Sequence, residues 1–326
     1  MYRNTSDKKY LDIASQIVYS ILKTDVHNTG AFSTDEKAIG NPYINSVIET
    51  CCVVAYNALA IEIFLLTGDI KIVDFLERSH YNAVLGYYSP TGRWSTYNTP
   101  MDGSKCANYH SITFQCRPGS PDLNCCSVNA PRGVANIAEW MITKEKDGLF
   151  LNFYEDMQLE TKDGIRVKIS GSYPANNNVT IYIDSKNKKE KLSFRIPTWS
   201  KNRIIKINEE TFCPKSGTYF SMNRVWNDDV HIQFDFTPYI EDGADDCDGK
   251  SSIFIGPVLY GLDIHDNPII NYDNIPCISK SELNLLVPVA KKDGSICLET
   301  SNGIVLKDFY HLGVSGSLYK TLLEVR

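Results

Sequence analysis

The side chains in this chain best suited to chemistry are two pairs of adjacent cysteines. Cys51 and Cys52 closely follow Glu49, and Cys125 and Cys126 come much later in the chain. Three of these thiols and the carboxylate form a plausible tetrahedral zinc set, because zinc accepts both thiolate sulfur and carboxylate oxygen. Side chains two residues apart do not share a helix face, so Glu49 and Cys51 could converge only at an irregular helix start.

Neither pair has the Cys-x-x-Cys spacing of a zinc finger. The alternative for Cys51 and Cys52 is a packing role, because small thiols also fill helix cores. The second pair lies in a polar, turn-like segment, residues 124–129, that leads into a helix predicted to begin near Pro131. A helix entrance and the nearby Arg132 both lower a thiol pKa. The surroundings of Cys125 and Cys126 therefore favour a reactive or metal-binding role.

Hydrophobic periodicity predicts a helical first part and a β-rich second part, with the change near residue 147. Apolar residues at helical spacing predict helices at Lys8–Leu22, Ser46–Thr67, Asp69–Leu85 and about Arg132–Thr143. A period of two predicts strands at Leu149–Phe153, Ile165–Ile169, Val179–Ile183, Leu192–Ile196, Ile204–Ile207, Val230–Phe236 and Ser252–Leu262. Short strands at this spacing are typical of an antiparallel β-sandwich. We expect a helical domain at 1–146, a sandwich at 147–275 and a further β-rich segment at 276–326.

Composition and charge exclude several classes of protein. The 326 residues are 43% hydrophobic, which allows substantial cores and excludes disorder as the main state. The 33 Lys and Arg residues against 39 Asp and Glu give a net charge of −6, so we expect no nucleic-acid partner. The sequence has neither the apolar core of a signal peptide nor an uninterrupted membrane span, which predicts a cytoplasmic protein without a membrane partner and with reduced thiols.

Two sequence strings resemble a known family. Ile48-Glu49-Thr50-Cys51, followed by Asn124-Cys125-Cys126-Ser127-Val128-Asn129-Ala130-Pro131-Arg132, resembles glycoside hydrolase family 127, the β-L-arabinofuranosidase-like proteins. In the β-rich part, Leu192–Trp199 and Gly256–Tyr260 are similar to sandwich motifs of that family, and Tyr97-Asn98-Thr99-Pro100 is similar to its pocket loop. The resemblance covers about residues 10 to 265.

The resemblance implies a catalytic barrel of six helix pairs, an (α/α)6 barrel, of which residues 1–146 would be the C-terminal part. It also implies a Zn²⁺ ion whose ligands would be Glu49, Cys51, Cys125 and Cys126. Cys125 would be the nucleophile of a retaining hydrolase that cleaves terminal β-L-arabinofuranosides or a related furanoside. Glu36 is the best match to the acid/base, and Asp35 is its nearest rival.

This chemistry is physically reasonable. Retaining glycosidases pass through a covalent glycosyl-enzyme, usually on a carboxylate. A zinc-bound thiolate can replace that carboxylate, because the metal keeps the sulfur deprotonated at neutral pH. The acid/base residue protonates the leaving oxygen and then activates water.

The sequence departs from the family pattern in three respects. Glu36 precedes Glu49 by a shorter interval than in the better-known members, and Leu123 stands where we associate a histidine with the family. The front half of the barrel is missing from the sequence, which predicts exposed helical faces that bind a second copy or a missing N-terminal half.

Sugar contacts would come from loop residues, namely Trp94, Tyr97 and Asn98.

Two other functions remain open at this point. The chain could be a non-catalytic, zinc-stabilised protein that binds carbohydrate or another partner, derived from a truncated hydrolase. It could also be a cysteine hydrolase that uses Cys125 and His110 without a metal.

Overall fold

The computed structural model describes residues 1–105, 125–146, 148–243, 247 and 249–326 of the chain. Its helices are α1 Tyr2–Thr5, α2 Lys8–Thr24, α3 Thr50–Thr67, α4 Ile70–Ser79, α5 Cys125–Ala135, α6 Ile137–Trp140 and α7 Lys280–Leu283. A π-helical turn, His80–Val84, continues α4, and a 3₁₀ turn spans Phe309–His311.

The strands follow the main helices and form two sheets. The first sheet contains β1 Ile142–Glu145, β2 Gly148–Leu151, β3 Met157–Glu160, β4 Arg166–Ser170, β5 Asn178–Ile196, β6 Ile204–Ile207, β7 Glu210–Phe212 and β8 Thr218–Gln233. The second contains β9 Tyr239–Asp242, β10 Lys250–Ile255, β11 Val258–Asp263, β12 Val289–Ala290, β13 Ile296–Glu299, β14 Val305–Asp308, β15 Tyr319–Lys320 and β16 Leu323–Glu324. Among the described strand pairs, β2–β5 is parallel and the others are antiparallel. The expected order of helices before strands is therefore confirmed.

The chain forms two compact units that do not follow sequence order. One unit contains residues 1–67, 75–136 and 238–326, and the other contains residues 68–74 and 137–237. The first unit holds α1–α3, α5 and the second sheet, and the other holds the first sheet. The division into three consecutive domains stays a prediction.

Several predicted element boundaries were wrong. The predicted fourth helix, about Arg132–Thr143, is α5, which begins at Cys125, so Pro131 lies inside the helix and not in its first turn. Proline prefers the first turn of a helix, but tertiary contacts outweigh that preference here. The Tyr87 hydroxyl donates to the Ala130 carbonyl at 3.0 Å, and Cys126 is fully buried. The helix predicted over Ser46–Thr67 begins only at Thr50.

Two strand predictions were also wrong. The predicted strand Ser252–Leu262 is a hairpin of β10 and β11 that turns at Gly256, whose φ is +55°. The strands predicted at Val179–Ile183 and Leu192–Ile196 are one long strand, β5, whose register against β8 shifts between Asp184 and Lys189. The polar residues of that irregularity resemble a loop in sequence, which explains the error.

Helix α3 is apolar on all sides and supplies much of the core of its unit. By length and composition it could cross a membrane, and it is the one described helix of which this is true. Half of its residues are buried, among them Val53, Val54, Ala60 and Ile61. Its composition matches the interior position of a helix that is packed on more than one face.

A buried ion pair fixes the first residues of α4, which belong to the same unit as the first sheet. Arg195 on β5 is fully buried, and its guanidinium donates to Asp74 Oδ1 at 2.5 Å and to the Asn152 carbonyl at 2.7 Å. Removing one partner of a buried pair leaves an uncompensated charge in a low-dielectric interior. Breaking this pair should therefore lower the free energy of unfolding more than breaking a surface ion pair does.

We expect Asp74→Ala to lower the free energy of unfolding by about 3–5 kcal/mol, measured by urea denaturation. The matched control is Asp163→Ala, because Asp163 pairs with Lys144 at the exposed surface of the same unit. Its loss should cost less than about 1 kcal/mol. Equal costs for the two variants would contradict a special role for the buried pair.

Candidate metal and catalytic site

A short pairing of two segments shapes the entrance to α3. Glu49, directly before the helix, forms an antiparallel bridge with Asn98, and the Thr50 amide donates to the Tyr97 carbonyl at 3.0 Å. The Ile48 amide donates to Asn98 Oδ1 at 2.9 Å. These bonds keep Glu49 in extended backbone while Cys51 is already helical, which is the irregular helix start that the spacing of the two residues requires.

Helix α5 brings the second cysteine pair to this entrance. Glu49 Oε1 lies 3.5 Å from Cys125 Sγ and 3.6 Å from Cys126 Sγ. Cys126 Sγ lies 3.4 Å from Cys51 Sγ and 4.0 Å from Cys125 Sγ. All four ligand atoms lie within 4.8 Å of one another. The structure thus brings together the four side chains that the sequence singled out as a metal set.

The spacing of these atoms fits a tetrahedral zinc ion. Zinc–sulfur bonds of about 2.3 Å and zinc–oxygen bonds of about 2.0 Å give S–S edges near 3.8 Å and S–O edges near 3.5 Å. The distances in this cluster bracket those edges. Three thiols and one carboxylate are also a donor set that suits zinc better than the hard cations Mg²⁺ and Ca²⁺, which take oxygen ligands.

The three thiols differ in exposure. Cys126 is fully buried, Cys51 is half-buried and Cys125 is exposed. Burial raises the pKa of Cys51 to about 11, helped by its contact with Cys125, and burial also raises the pKa of Cys126. In the absence of a cation, Cys51 and Cys126 are therefore neutral thiols at pH 7, and a bound metal would have to displace their protons.

Sequence reasoning missed two further side chains at this cluster. The Asn129 amide donates to Cys51 Sγ at 3.3 Å and to the Cys125 carbonyl at 3.0 Å. The Cys52 thiol donates to Glu49 Oε2 at 3.1 Å, and burial raises the pKa of this thiol to about 12. The spacing of Asn129 from Cys125, four residues on one helix, was a usable signal, whereas Cys52 offered none beyond its position beside Cys51.

Glu36 lies at the surface beside the pocket loop. The Tyr97 hydroxyl donates to Glu36 Oε1 at 2.5 Å. Burial and this bond raise the pKa of Tyr97, and the carboxylate of Glu49 adds to the effect. Tyr97 is thus close to both Glu36 and the thiol cluster. Asp35, by contrast, accepts a hydrogen bond from Ser46 Oγ at 2.7 Å.

The other predicted loop residues have mixed surroundings. Asn98 is buried and its carbonyl oxygen accepts from the Ile48 amide, so this side chain orders the loop. Trp94 is half-buried, and its backbone carbonyl accepts from the Ser89 amide at 2.9 Å. Their predicted sugar contacts stay predictions. His110 and Leu123 lie outside the described residues.

Close packing between α5 and α3 depends on Gly133. A Cβ atom at this position would lie 2.0 Å from the Tyr87 hydroxyl and 2.9 Å from Val54 Cγ2. Both neighbours are buried side chains in the core of the unit. Glycine therefore lets the helix that carries Cys125 and Cys126 approach α3 closely.

We expect Gly133→Ala to lower the free energy of unfolding by about 1–3 kcal/mol, because the added methyl overpacks the interface. In a helix without close neighbours, the same change would raise the free energy of unfolding by about 1 kcal/mol. The sign of the measured change therefore distinguishes a crowded position from an open one. Chemical denaturation measures the effect. Val128→Ala, at an exposed position of α5, is the control and should change stability by less than about 0.5 kcal/mol. A stabilised Gly133→Ala protein would refute the close approach.

Comparison with protein-family models gives two matches. Residues 1–139 match the catalytic domain of the GH127 β-L-arabinofuranosidases, and residues 148–237 match the middle domain of the same family. The two ranges together span more than two thirds of the chain. A search of curated protein sequences finds no match.

Solved structures with the same fold are longer than this chain. A GH127 β-L-arabinofuranosidase from Geobacillus stearothermophilus T6 superposes with a TM-score of 0.83 at 17% identity, covering 100% of this chain and 58% of that one. A GH127 β-arabinofuranosidase gives 0.80 at 19% identity, with the same coverage. A glycoside hydrolase gives 0.80 at 21% identity, covering 99% of this chain and 63% of that one. These likenesses show the fold, and the two family models show the family. The chain belongs to glycoside hydrolase family 127.

Proposed function

We propose that this protein is a retaining glycoside hydrolase that acts on terminal β-L-arabinofuranosides or a related furanoside. The observation that carries the proposal is the cluster of Glu49, Cys51, Cys125 and Cys126, in which three ligand atoms are at least partly shielded and the fourth, Cys125 Sγ, is exposed. The names of the structural relatives support the substrate class. A sugar could reach the Cys125 sulfur but not the fully buried sulfur of Cys126.

The residues of this cluster would share the work. Glu49, Cys51, Cys125 and Cys126 would hold a Zn²⁺ ion, which would keep its thiol ligands deprotonated at neutral pH. The Cys125 sulfur would attack the anomeric carbon of the sugar, and a bond from carbon to sulfur would replace the bond to the leaving oxygen. The Asn129 amide would hold Cys51 in place through its contact with the sulfur.

Glu36 would be the acid/base residue. Its carboxyl group would give a proton to the leaving oxygen and then remove a proton from the water that releases the sugar. The Tyr97 hydroxyl would orient this carboxyl group through their 2.5 Å hydrogen bond. Glu36 is preferred over Asp35 because the side chain of Asp35 is bonded to Ser46 within its own loop region.

We expect Glu36→Gln to slow hydrolysis of an alkyl β-L-arabinofuranoside by about 10²- to 10⁴-fold, because an amide can neither donate nor accept the proton. A nitrophenyl arabinofuranoside, whose leaving group needs little protonation, should lose less in the glycosylation step. Asp35→Asn is the matched control and should retain most of the activity with both substrates. The reverse pattern would assign the acid/base role to Asp35, and equal activity of all three proteins would exclude both carboxylates.

A non-catalytic, zinc-stabilised carbohydrate-binding protein is the second candidate function. The chain spans 58–63% of the length of these structural relatives, and the partly buried cluster of Glu49, Cys51, Cys125 and Cys126 could stabilise the fold as a metal site without turnover. Zinc content and sugar binding without turnover would support this second function, and turnover that depends on Cys125 would exclude it.

We also propose that a further helical segment, from a second copy or an N-terminal half of the barrel, covers one face of α2 and α3. Ile13 and Ile17 on α2 are 54% and 47% exposed, and Leu65 on α3 is 40% exposed. Exposed aliphatic side chains on neighbouring helices are typical of an interaction surface. In a partial (α/α)6 barrel, this face would pack against the neighbouring helix pair.

A further inference from the structure

Glu49 has two carboxylate oxygens, and they face different neighbours. Oε1 points to the thiols of Cys125 and Cys126, at 3.5 and 3.6 Å. Oε2 accepts a hydrogen bond from the thiol of Cys52 at 3.1 Å. Cys52 is the residue after Cys51, on the first turn of α3. Cys52 is not one of the four clustered side chains.

A second buried group lies near the Cys52 sulfur. The Ser33 side chain is fully buried, and its hydroxyl lies near the Cys52 thiol. This hydroxyl has no hydrogen-bond partner of good geometry among the described residues. The hydrogen bond of the Cys52 thiol that the geometry supports is therefore the one to Glu49 Oε2.

We infer that Cys52 is a positioning residue for the metal ligand Glu49: its thiol holds Oε2, so that only Oε1 is presented to the cation. A carboxylate can bind a cation through one oxygen or both, and a donor to the second oxygen favours the one-oxygen mode. Partners of this kind behind metal ligands typically contribute about 10- to 100-fold to metal affinity.

The inference rests on the zinc site of the proposed function but not on glycosidase activity. It concerns a donor that is not itself a ligand, and this distinguishes Cys52 from Cys51. A serine at this position would keep a donor to Oε2. Alanine and valine would remove the donor, and valine would retain most of the side-chain volume.

The test is the zinc dissociation constant, measured by competition with a chromophoric chelator, for wild type, Cys52→Ala, Cys52→Val and Cys52→Ser. We expect affinity to fall about 10- to 100-fold in the alanine and valine variants and to stay within about threefold of wild type in the serine variant. Cys297→Ala, which removes a buried thiol from β13, is the control and should leave zinc affinity unchanged. The alanine variant leaves a cavity that could disturb folding, and the valine variant, which fills most of that space, controls for this effect.

Cobalt substitution supplies a readout that does not depend on activity. In the alanine and valine variants the thiolate-to-cobalt charge-transfer bands should keep their intensity, since three thiolates remain, while the ligand-field bands shift as the carboxylate reorients. Equal zinc affinity in all variants would overturn the inference. It would also be overturned if the serine variant bound zinc as weakly as the alanine variant and showed a weaker charge-transfer band, since Cys52 would then be a ligand. Absence of zinc binding by the wild-type protein would instead overturn the proposed site.

Discussion

Purified protein should bind one zinc ion per chain, and Glu49→Ala should weaken that binding by more than about 100-fold. Loss of a group behind a ligand already costs about 10- to 100-fold, so loss of the ligand itself should cost more. Because zinc would bind the folded cluster, zinc at about 1,000 times its Kd should stabilise the protein by about 4 kcal/mol. Metal analysis after dialysis and thermal unfolding with and without a chelator measure both effects.

The matched control for Glu49→Ala is Glu62→Ala, a carboxylate on α3 that forms an exposed ion pair with Arg3 at 2.8 Å. This variant should bind zinc as the wild type does. If Glu49→Ala bound zinc as tightly as Glu62→Ala, the carboxylate would not be a ligand. If neither the variants nor the wild type bound zinc, the metal site itself would be refuted.

Zinc affinity should also depend steeply on pH. Burial raises the pKa of Cys51 to about 11 and raises that of Cys126, so both thiols carry protons at pH 7 before a cation binds. Binding releases those protons, and each one released changes the affinity about tenfold per pH unit. Affinity should therefore tighten as pH rises through the neutral range and weaken as pH falls. An affinity independent of pH would mean that these thiols do not ligate the metal.

Cys125→Ala should reduce hydrolysis of an aryl β-L-arabinofuranoside by at least about a thousandfold, because losing a nucleophile abolishes the covalent pathway. Azide added to this variant should restore turnover and give an arabinofuranosyl azide of inverted configuration, since a small anion can occupy the space that the sulfur leaves. Kinetics and product analysis by nuclear magnetic resonance measure the two outcomes. Equal rates for wild type and variant would exclude Cys125 as the nucleophile.

Cys126→Ala is the comparison that separates nucleophile from ligand. It removes a fully buried sulfur from the same cluster, so activity should fall through loss of metal, and azide should not restore it. Zinc content should be measured for both variants. Rescue of Cys126→Ala, or a failure of azide to rescue Cys125→Ala when the metal is retained, would contradict the assignment of roles.

Much of the architecture was predictable from local patterns. The change of hydrophobic period near residue 147 predicted helices before strands, because alternation and helical spacing are properties of neighbouring residues. The positions of α2 and β6 agree closely with the prediction. Where tertiary contacts compete with local preference, the prediction failed, as at Pro131 inside α5 and at the hairpin turn of Gly256.

The candidate site divides in the same way. The identities of Glu49, Cys51, Cys125 and Cys126 and the family are readable from residue types and motifs, because a zinc site needs specific donor atoms. The donation from Cys52 to Glu49 and that from Tyr97 to Glu36 appear only in the folded chain. Residues distant in sequence meet only when long-range packing sets the approach of α5 to α3, and no local pattern encodes a distance between separate segments.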